Sequence, residues 1–363
     1  MPVPSSIKKV LVVNIFGIGD VLFTTPLLTN IKKNIADAFI GYVVSGRAAT
    51  ILENNPNIDQ LYIYDRDEYQ TVLKQSRGLF LKKIGELLKL LKKEKYDLLI
   101  DLSLNGWVSF WGWSIGIPQR VGFNYKRRGW FLSKGIDFKG YENRHVIEHY
   151  LSLLEELGFT IYREPLQLPI AKEDGLWANL FMSKEGLATS DMKIGIVPGG
   201  GASWGKDAAY KRWSPQKYAE LADKIIENLK TPIILLGDIT EKELCEQIAN
   251  LMRHPVVLAC GRTTLGQCSA LFKECTLAIV NDGGPLHIAV ASGTRTVSIF
   301  GPVDENVYGP YPRDNHFVVT SDIACRPCYR QFRRASCEHV SCLNNIEVDD
   351  VFHKVIRAFT TVT

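Results

Sequence analysis

The sequence predicts an α/β protein built from two open parallel sheets, each covered by helices. Short apolar runs alternate with segments of helical period in both halves of the chain, the signature of parallel strands joined by crossover helices. A proline-bounded extended stretch separates the halves. The chain has 363 residues, more than the roughly 250 that one hydrophobic core comfortably serves. Its composition, 46% hydrophobic and 23% charged, is that of a folded globular protein and excludes a disordered chain.

In the first half, Lys9-Val10-Leu11-Val12-Val13-Asn14 reads as a buried strand, followed by the turn Phe16-Gly17-Ile18-Gly19-Asp20. Leu22, Leu27, Leu28 and Ile31 then recur at helical spacing. Residues 40–44 and 61–64 give a second and a third strand. Phe80, Ile84, Leu87, Leu88 and Leu91 mark residues 78–95 as an amphipathic helix with its lysines outward. Residues 96–102 form another buried strand. The longest stretch without a formal charge, 102–119, includes Trp107, Trp111 and Trp113 but also Asn105, Gly106, Ser109 and Ser114. It is too short and too polar for a membrane span and reads as a strand end followed by a helix.

Residues 145–158 read as a helix and 163–169 as an extended connector, so the expected domains are 1–165 and 191–345, with a linker region at 166–190 and a C-terminal helix in 346–363. The second half repeats the plan, with a strand at 193–198 and a glycine loop at 199–201. Ser214-Pro215 supplies an N-cap and first position for the helix to residue 229. A strand follows at 232–237. Thr240-Glu241-Lys242-Glu243 reads as a capping box for a helix with Cys245, Ile248, Ala249 and Met252 inward. Leu277-Ala278-Ile279-Val280 is a strand, Asp282-Gly283-Gly284 a tight loop, and Pro285 opens a helix that closes near Gly293 before the next strand.

That last unit is the most informative segment. Its glycine loop brings backbone N–H groups close to a ligand, and the helix start behind it carries partial positive charge, so a phosphate or diphosphate is the natural guest. Gly17-Ile18-Gly19 lacks the third glycine of a dinucleotide fingerprint, because Leu22 takes its place, and no P-loop pattern occurs. Asp20 is either a general base or a helix N-cap. The segment 199–206, with Ser203, and the later Lys211 and Arg212 offer backbone donors, a hydroxyl and cations for a leaving diphosphate; the alternative is a surface loop. His287 either donates to a phosphate or fills a polar niche. Ligands of open α/β sheets bind beyond the carboxyl ends of the strands, which points to the cleft between the domains.

The net charge of +4 is too small to imply nucleic acid. Basic residues do cluster, at Lys82, Lys83, Lys89, Lys92, Lys93 and Lys95 and again at Lys126, Arg127 and Arg128. Such clusters either attract phosphate groups and anionic lipid headgroups or form solvated faces. The N-terminal residues lack the layout of a secretory signal, and a cytoplasmic location is expected. Cys325, Cys328, Cys337 and Cys342 fall close together with His339 among them. They read as reduced packing thiols, a structural zinc site, or disulfides, the last disfavoured in the cytoplasm.

Together these motifs resemble glycosyltransferase family 9, the ADP-heptose:lipopolysaccharide heptosyltransferases. The resemblance rests on Gly19-Asp20-Val21-Leu22 with Pro26 and Leu27, the strand at 96–102, Arg120-Val121-Gly122-Phe123, residues 198–213 and residues 282–302. It implies a GT-B architecture, two Rossmann-like domains with parallel sheets facing across a cleft, the acceptor on the N-terminal side and the sugar nucleotide on the C-terminal side. It also implies an inverting transfer without a metal or other cofactor, from an ADP-sugar to an anionic glycolipid of the lipopolysaccharide core, at the inner face of the cytoplasmic membrane with peripheral attachment. Asp20 takes the general-base position. Lys211 matches the lysine on the donor phosphates, with Ser203 before it, and Asp282, Gly283, Gly284 and His287 match the loop and helix start that hold the nucleotide diphosphate and sugar. Arg212 is assigned to the donor, and Lys126, Arg127 and Arg128 to the acceptor. Gly283 departs from the family, which commonly has Ser or Thr there. Other readings of the same architecture are a sugar-nucleotide epimerase or hydrolase and a non-catalytic sugar-nucleotide or glycolipid binding protein.

Overall fold

The computed structural model describes residues 7–200 and 202–360, the side chains of Ala202 and Ser203 excepted. The chain divides into two compact units, Met1–Pro165 and Leu166–Thr363.

The first unit holds six strands, β1 (Lys9–Val13), β2 (Phe39–Val44), β3 (Gln60–Ile63), β4 (Leu98–Asp101), β5 (Gln119–Tyr125) and β6 (Lys134–Phe138). They pair in parallel in the order β3-β2-β1-β4-β5-β6, the order of a dinucleotide-type doubly wound sheet. β1 is central because it is apolar on both faces, with Val10 and Val12 fully buried. The amphipathic helix forms as Arg77–Glu94, started by the Ser76 side chain, which accepts from the Leu79 N–H. Its Ile84, Leu87 and Leu91 face inward, and Leu87 and Leu91 join Leu11, Val13, Val43 and Leu99 in one core cluster. Lys83 is not simply solvated, since it pairs with Glu68 and lies over the Tyr69 ring, 4.9 Å from its centre.

Register fixes which segments share an edge. Val13 stands beside Asp101, and Asp101 beside Gly122. The chain therefore leaves β1, β4 and β5 at the same edge of the sheet. The short helix Ile18–Leu22 follows β1, the helix Gly106–Ser114 follows β4, and the turn with Lys126, Arg127 and Arg128 follows β5. The uncharged stretch 102–119 is thus a strand exit and a nine-residue helix, as its polar content implies.

The second unit repeats this plan with β7 (Ile194–Val197), β8 (Ile233–Leu235), β9 (Val257–Leu258), β10 (Leu277–Asn281), β11 (Arg295–Ile299) and β12 (His316–Val319). The order is β12-β11-β10-β7-β8-β9, all parallel. Read from β9, it is the arrangement of the first sheet. Val280 pairs with Val197, which brings the loops after β7 and β10 side by side. The C-terminal helix is Val348–Thr360, and its Val351 and Val355 are fully buried in the same core as β7, β10 and β11.

Three local expectations need correction. The region 166–190 is not only a linker: it contains the helix Lys172–Lys184, which buries Ala178, Phe181 and Met182 and packs against the helix Leu265–Glu274. The prolines at 165 and 169 signalled an extended stretch, but the apolar spacing just beyond them belongs to the second unit. The capping box is formed by Asp238 and Glu241, two residues before the expected Thr240 and Glu243. Glu241 is buried and reaches backbone that Glu243 does not. Ser214 flanks its helix with Pro215 in the first turn, yet its side chain makes no capping bond and meets Gln216 Oε1 at 2.8 Å instead.

Candidate active site

In the second unit the site grows from the exits of β7 and β10. Asn281 ends β10 with a fully buried amide that fastens the two exits together. Its Nδ2 donates to the carbonyls of Pro198 (2.7 Å) and Gly199 (2.8 Å), and its Oδ1 accepts from the Tyr218 hydroxyl (2.9 Å) and the Trp213 N–H (3.3 Å). Asn281 uses all four of its hydrogen-bonding positions, so the loops it joins are held in one geometry.

Next along the chain, Asp282 meets Lys211. The Lys211 Nζ lies 2.7 Å from Asp282 Oδ2, with side chains only 9% and 5% exposed. The ammonium also sits 4.3 Å from the centre of the Trp204 ring, whose negative face favours a cation. Gly283 follows with φ 154° and ψ −172°, a region essentially reserved for glycine. It is the N-cap of the helix Gly284–Ala291, and no side chain caps that start. The helix end therefore presents partial positive charge beside the lysine. His287, in the same first turn, is buried at 3% exposure.

Arg212 and the glycine loop converge on the carboxylate of Glu241. The Gly200 N–H donates to Glu241 Oε1 at 2.6 Å, and the Asp238 N–H donates to the other oxygen at 3.2 Å. Arg212 Nε donates to the Gly200 carbonyl at 3.2 Å, and its guanidinium stands 3.7 Å from Glu241. A Cβ on Gly199 would lie 2.0 Å from the Glu241 carboxylate, so this close approach requires glycine. Glu241 thus occupies the anion-binding concavity of the loop itself, and Arg212 braces that arrangement. Gly201 and the Ser203 side chain lie outside the described residues.

In the first unit Asp20 is the third residue of the helix Ile18–Leu22, whose N-cap is Gly17. The N-cap alternative for Asp20 is therefore set aside. Asp20 is half-buried, and Asn14 Nδ2 donates to its carbonyl oxygen at 3.1 Å. Burial pushes the phenols of Tyr42, Tyr141 and Tyr150 well above their usual range, and the Asp20 charge adds to the rise in each. Asp20 consequently stands among phenols that stay protonated. Asp101, at the adjoining exit of β4, is a buried carboxyl that sequence reading passed over. Desolvation pushes it up to about 6, partly offset by the Ser103 hydroxyl and N–H at 2.6 and 2.9 Å.

Lys126, Arg127 and Arg128 are exposed, and the first two have left-handed backbone. The thiols of Cys325, Cys328, Cys337 and Cys342 are all free, ranging from exposed to buried. Burial raises Cys328 and pushes Cys342 up to about 11, and neighbouring thiolates of the group add to both. Among the described residues no set of three or more His, Cys, Asp or Glu is arranged to hold a metal ion.

The sequence profile of glycosyltransferase family 9 (heptosyltransferase) matches residues 84–339. Lipopolysaccharide heptosyltransferase 3 of Escherichia coli (strain K12) is 24% identical over 299 residues, covering 81% of this chain and 82% of that protein. The crystal structure of the glycosyl transferase family 9 protein from Veillonella parvula DSM 2008 superposes with a TM-score of 0.82 at 26% identity, covering 98% of each chain. The E. coli heptosyltransferase WaaC with ADP has a TM-score of 0.72 at 17% identity, covering 96% of this chain and 99% of its own. With two parallel six-stranded sheets and these structural neighbours, the fold class is GT-B.

Proposed function

The chain belongs to glycosyltransferase family 9, the heptosyltransferase family, and from that premise we propose that it transfers a heptose from an ADP-activated donor to a lipopolysaccharide core acceptor by a single inverting displacement. The observation that carries this reading is the buried Lys211–Asp282 pair beside the uncapped helix start at Gly283 and Gly284. A fixed cation next to an open helix N-terminus suits a diphosphate, and suits it more as charge builds on the leaving group. The similar WaaC structure was solved with ADP, which supports adenine nucleotide as the donor carrier.

In this reading the second unit takes the sugar nucleotide and the first takes the acceptor. Asp20 removes the proton from the attacking hydroxyl. The freed oxygen bonds to the anomeric carbon from the face opposite the diphosphate, the anomeric carbon–oxygen bond breaks, and its electron pair leaves on ADP. Lys211 and the helix start receive that charge, and no metal ion or other cofactor is assigned to the step. Asp282 orients the lysine. Gly283 offers no hydroxyl where the family commonly has one, and backbone N–H groups stand in for it. Lys126, Arg127 and Arg128 meet the anionic glycolipid, and the enzyme works at the cytoplasmic face of the inner membrane as a peripheral protein. No helix among the described residues is long and apolar enough to cross a membrane.

The test is ligand-dependent stabilisation. ADP at a hundred times its dissociation constant should add about 2.7 kcal/mol of stability, whereas UDP, GDP and dTDP at the same concentration should add little. Equal stabilisation by UDP or dTDP would refute the donor assignment. Heptose transfer that persists unchanged in EDTA is expected, and its abolition would refute the metal-free step.

A further inference from the structure

The segment 102–136 contains five basic residues and no acidic one. It also carries three exposed tryptophans, Trp107 (64%), Trp113 (54%) and Trp130 (84%). Large apolar side chains so exposed, and so close together, mark an interaction surface rather than ordinary surface scatter.

Trp107 and Trp113 are joined into one surface by Phe110 and Phe131, and Trp130 directly precedes Phe131 in the chain. Phe131 packs against Phe110 at 5.1 Å and against Trp113 at 5.4 Å, and Phe110 lies 6.0 Å from Trp107. The helix Gly106–Ser114 is thereby tied to the loop after the basic turn. A Cβ on Gly106 would fall 2.8 Å from the Arg128 carbonyl, so the basic turn abuts the helix start. Aromatic and basic groups share one face, at the sheet edge where β4 and β5 end and where Asp20 follows β1.

We propose that this aromatic and basic face inserts into an anionic phospholipid bilayer, with the three tryptophans at headgroup depth and Lys126, Arg127 and Arg128 on the lipid phosphates. The inference rests on the glycolipid-acceptor reading and names the surface that brings the enzyme to it. Charge complementarity decides the occupant: indole rings favour the membrane interface, and each nearby cation adds attraction to anionic lipid. The Arg77–Glu94 helix is a poorer candidate. Its lysines alternate with Glu86 and Glu94, Lys83 is committed to Glu68, and Glu94 to Lys9.

The experiment uses the full chain with vesicles of phosphatidylcholine and phosphatidylglycerol containing brominated phosphatidylcholine. The expected result is quenching of tryptophan fluorescence and salt-sensitive flotation. Trp130→Ala and the triple variant Trp107→Ala, Trp113→Ala, Trp130→Ala should weaken vesicle binding, the triple by roughly tenfold or more. Both variants should keep the unfolding midpoint and the shift produced by ADP, which separates this inference from the donor reading. Absence of quenching, equal binding to pure phosphatidylcholine, or loss of binding only on Leu81→Ala and Leu90→Ala overturns the proposal. A dimer in sedimentation that dissociates on tryptophan replacement also overturns it, in favour of an interface between copies.

Discussion

Lys211 and Asp282 form a buried ion pair at 2.7 Å, with the ammonium held over Trp204. Two residues that each read as a donor contact are therefore first of all contacts of one another. A lysine so held is fixed in place, and on the proposed reading its ordering entropy is met during folding rather than on binding the diphosphate.

Removing one partner strands the other. Lys211→Met should destabilise the second unit by about 3–5 kcal/mol, because Asp282 is left as a buried uncompensated charge. The double variant Lys211→Met, Asp282→Leu should recover much of that stability while still failing to bind ADP. Urea unfolding and ADP titration check both parts. Recovery of ADP binding in the double variant would show that the lysine has no role at the diphosphate.

Asp20→Asn keeps the shape of the side chain and removes its basicity. Transfer should fall by at least about 100-fold, the lower range for loss of a general base, while ADP affinity stays unchanged. Steady-state rates with saturating donor and acceptor, alongside ADP titration, give the answer. Full turnover in a folded variant would reject Asp20 as the base.

Asp101 makes a prediction about pH. Its carboxyl is raised from 3.8 to about 6 by burial, so between those values the folded chain holds a proton that the unfolded chain has lost. Stability from this group therefore falls as pH rises from about 4 to about 6 and stays lowered above that. Asp101→Asn removes the dependence and can still accept from Ser103. The stability of the variant relative to the parent should increase by up to about 3 kcal/mol between pH 4 and 7. Urea midpoints of both proteins across that range measure it, and a constant difference would contradict the assignment.

Gly283 should resist the family's hydroxyl. At φ 154° and ψ −172°, a serine must either take a strained backbone or move the loop, at about 1–3 kcal/mol. Gly283→Ser is expected to lower the unfolding midpoint and weaken ADP binding. Tighter ADP binding without loss of stability would mean that the loop accommodates the hydroxyl readily.

Much of this was legible in the sequence, for identifiable reasons. The strands β1, β4, β7 and β10 are largely apolar runs, and parallel sheets demand such runs where both faces are covered. Gln119–Tyr125 and Lys134–Phe138 lie toward the sheet edge, carry polar residues, and gave no such signal. The residues flanking the Asp282–Gly284 loop could be picked out by type, but their pairing could not. Nothing in local pattern says that Lys211 reaches Asp282, that Asn281 fastens two loops, or that Glu241 fills the concavity expected to face a ligand. Those relations depend on the β7–β10 register. The capping box shows the same limit in miniature, since Asp238 with Glu241 and Thr240 with Glu243 fit one pattern and tertiary contact with Gly200 selects the former.

The most direct measurement is mass spectrometry of a lipopolysaccharide core acceptor incubated with this enzyme and ADP-heptose. The acceptor should gain a single heptose while an equal amount of ADP is released, and neither product should form without the acceptor. Release of ADP and free sugar in the absence of acceptor, or an altered donor with the acceptor unchanged, would contradict the transferase reading.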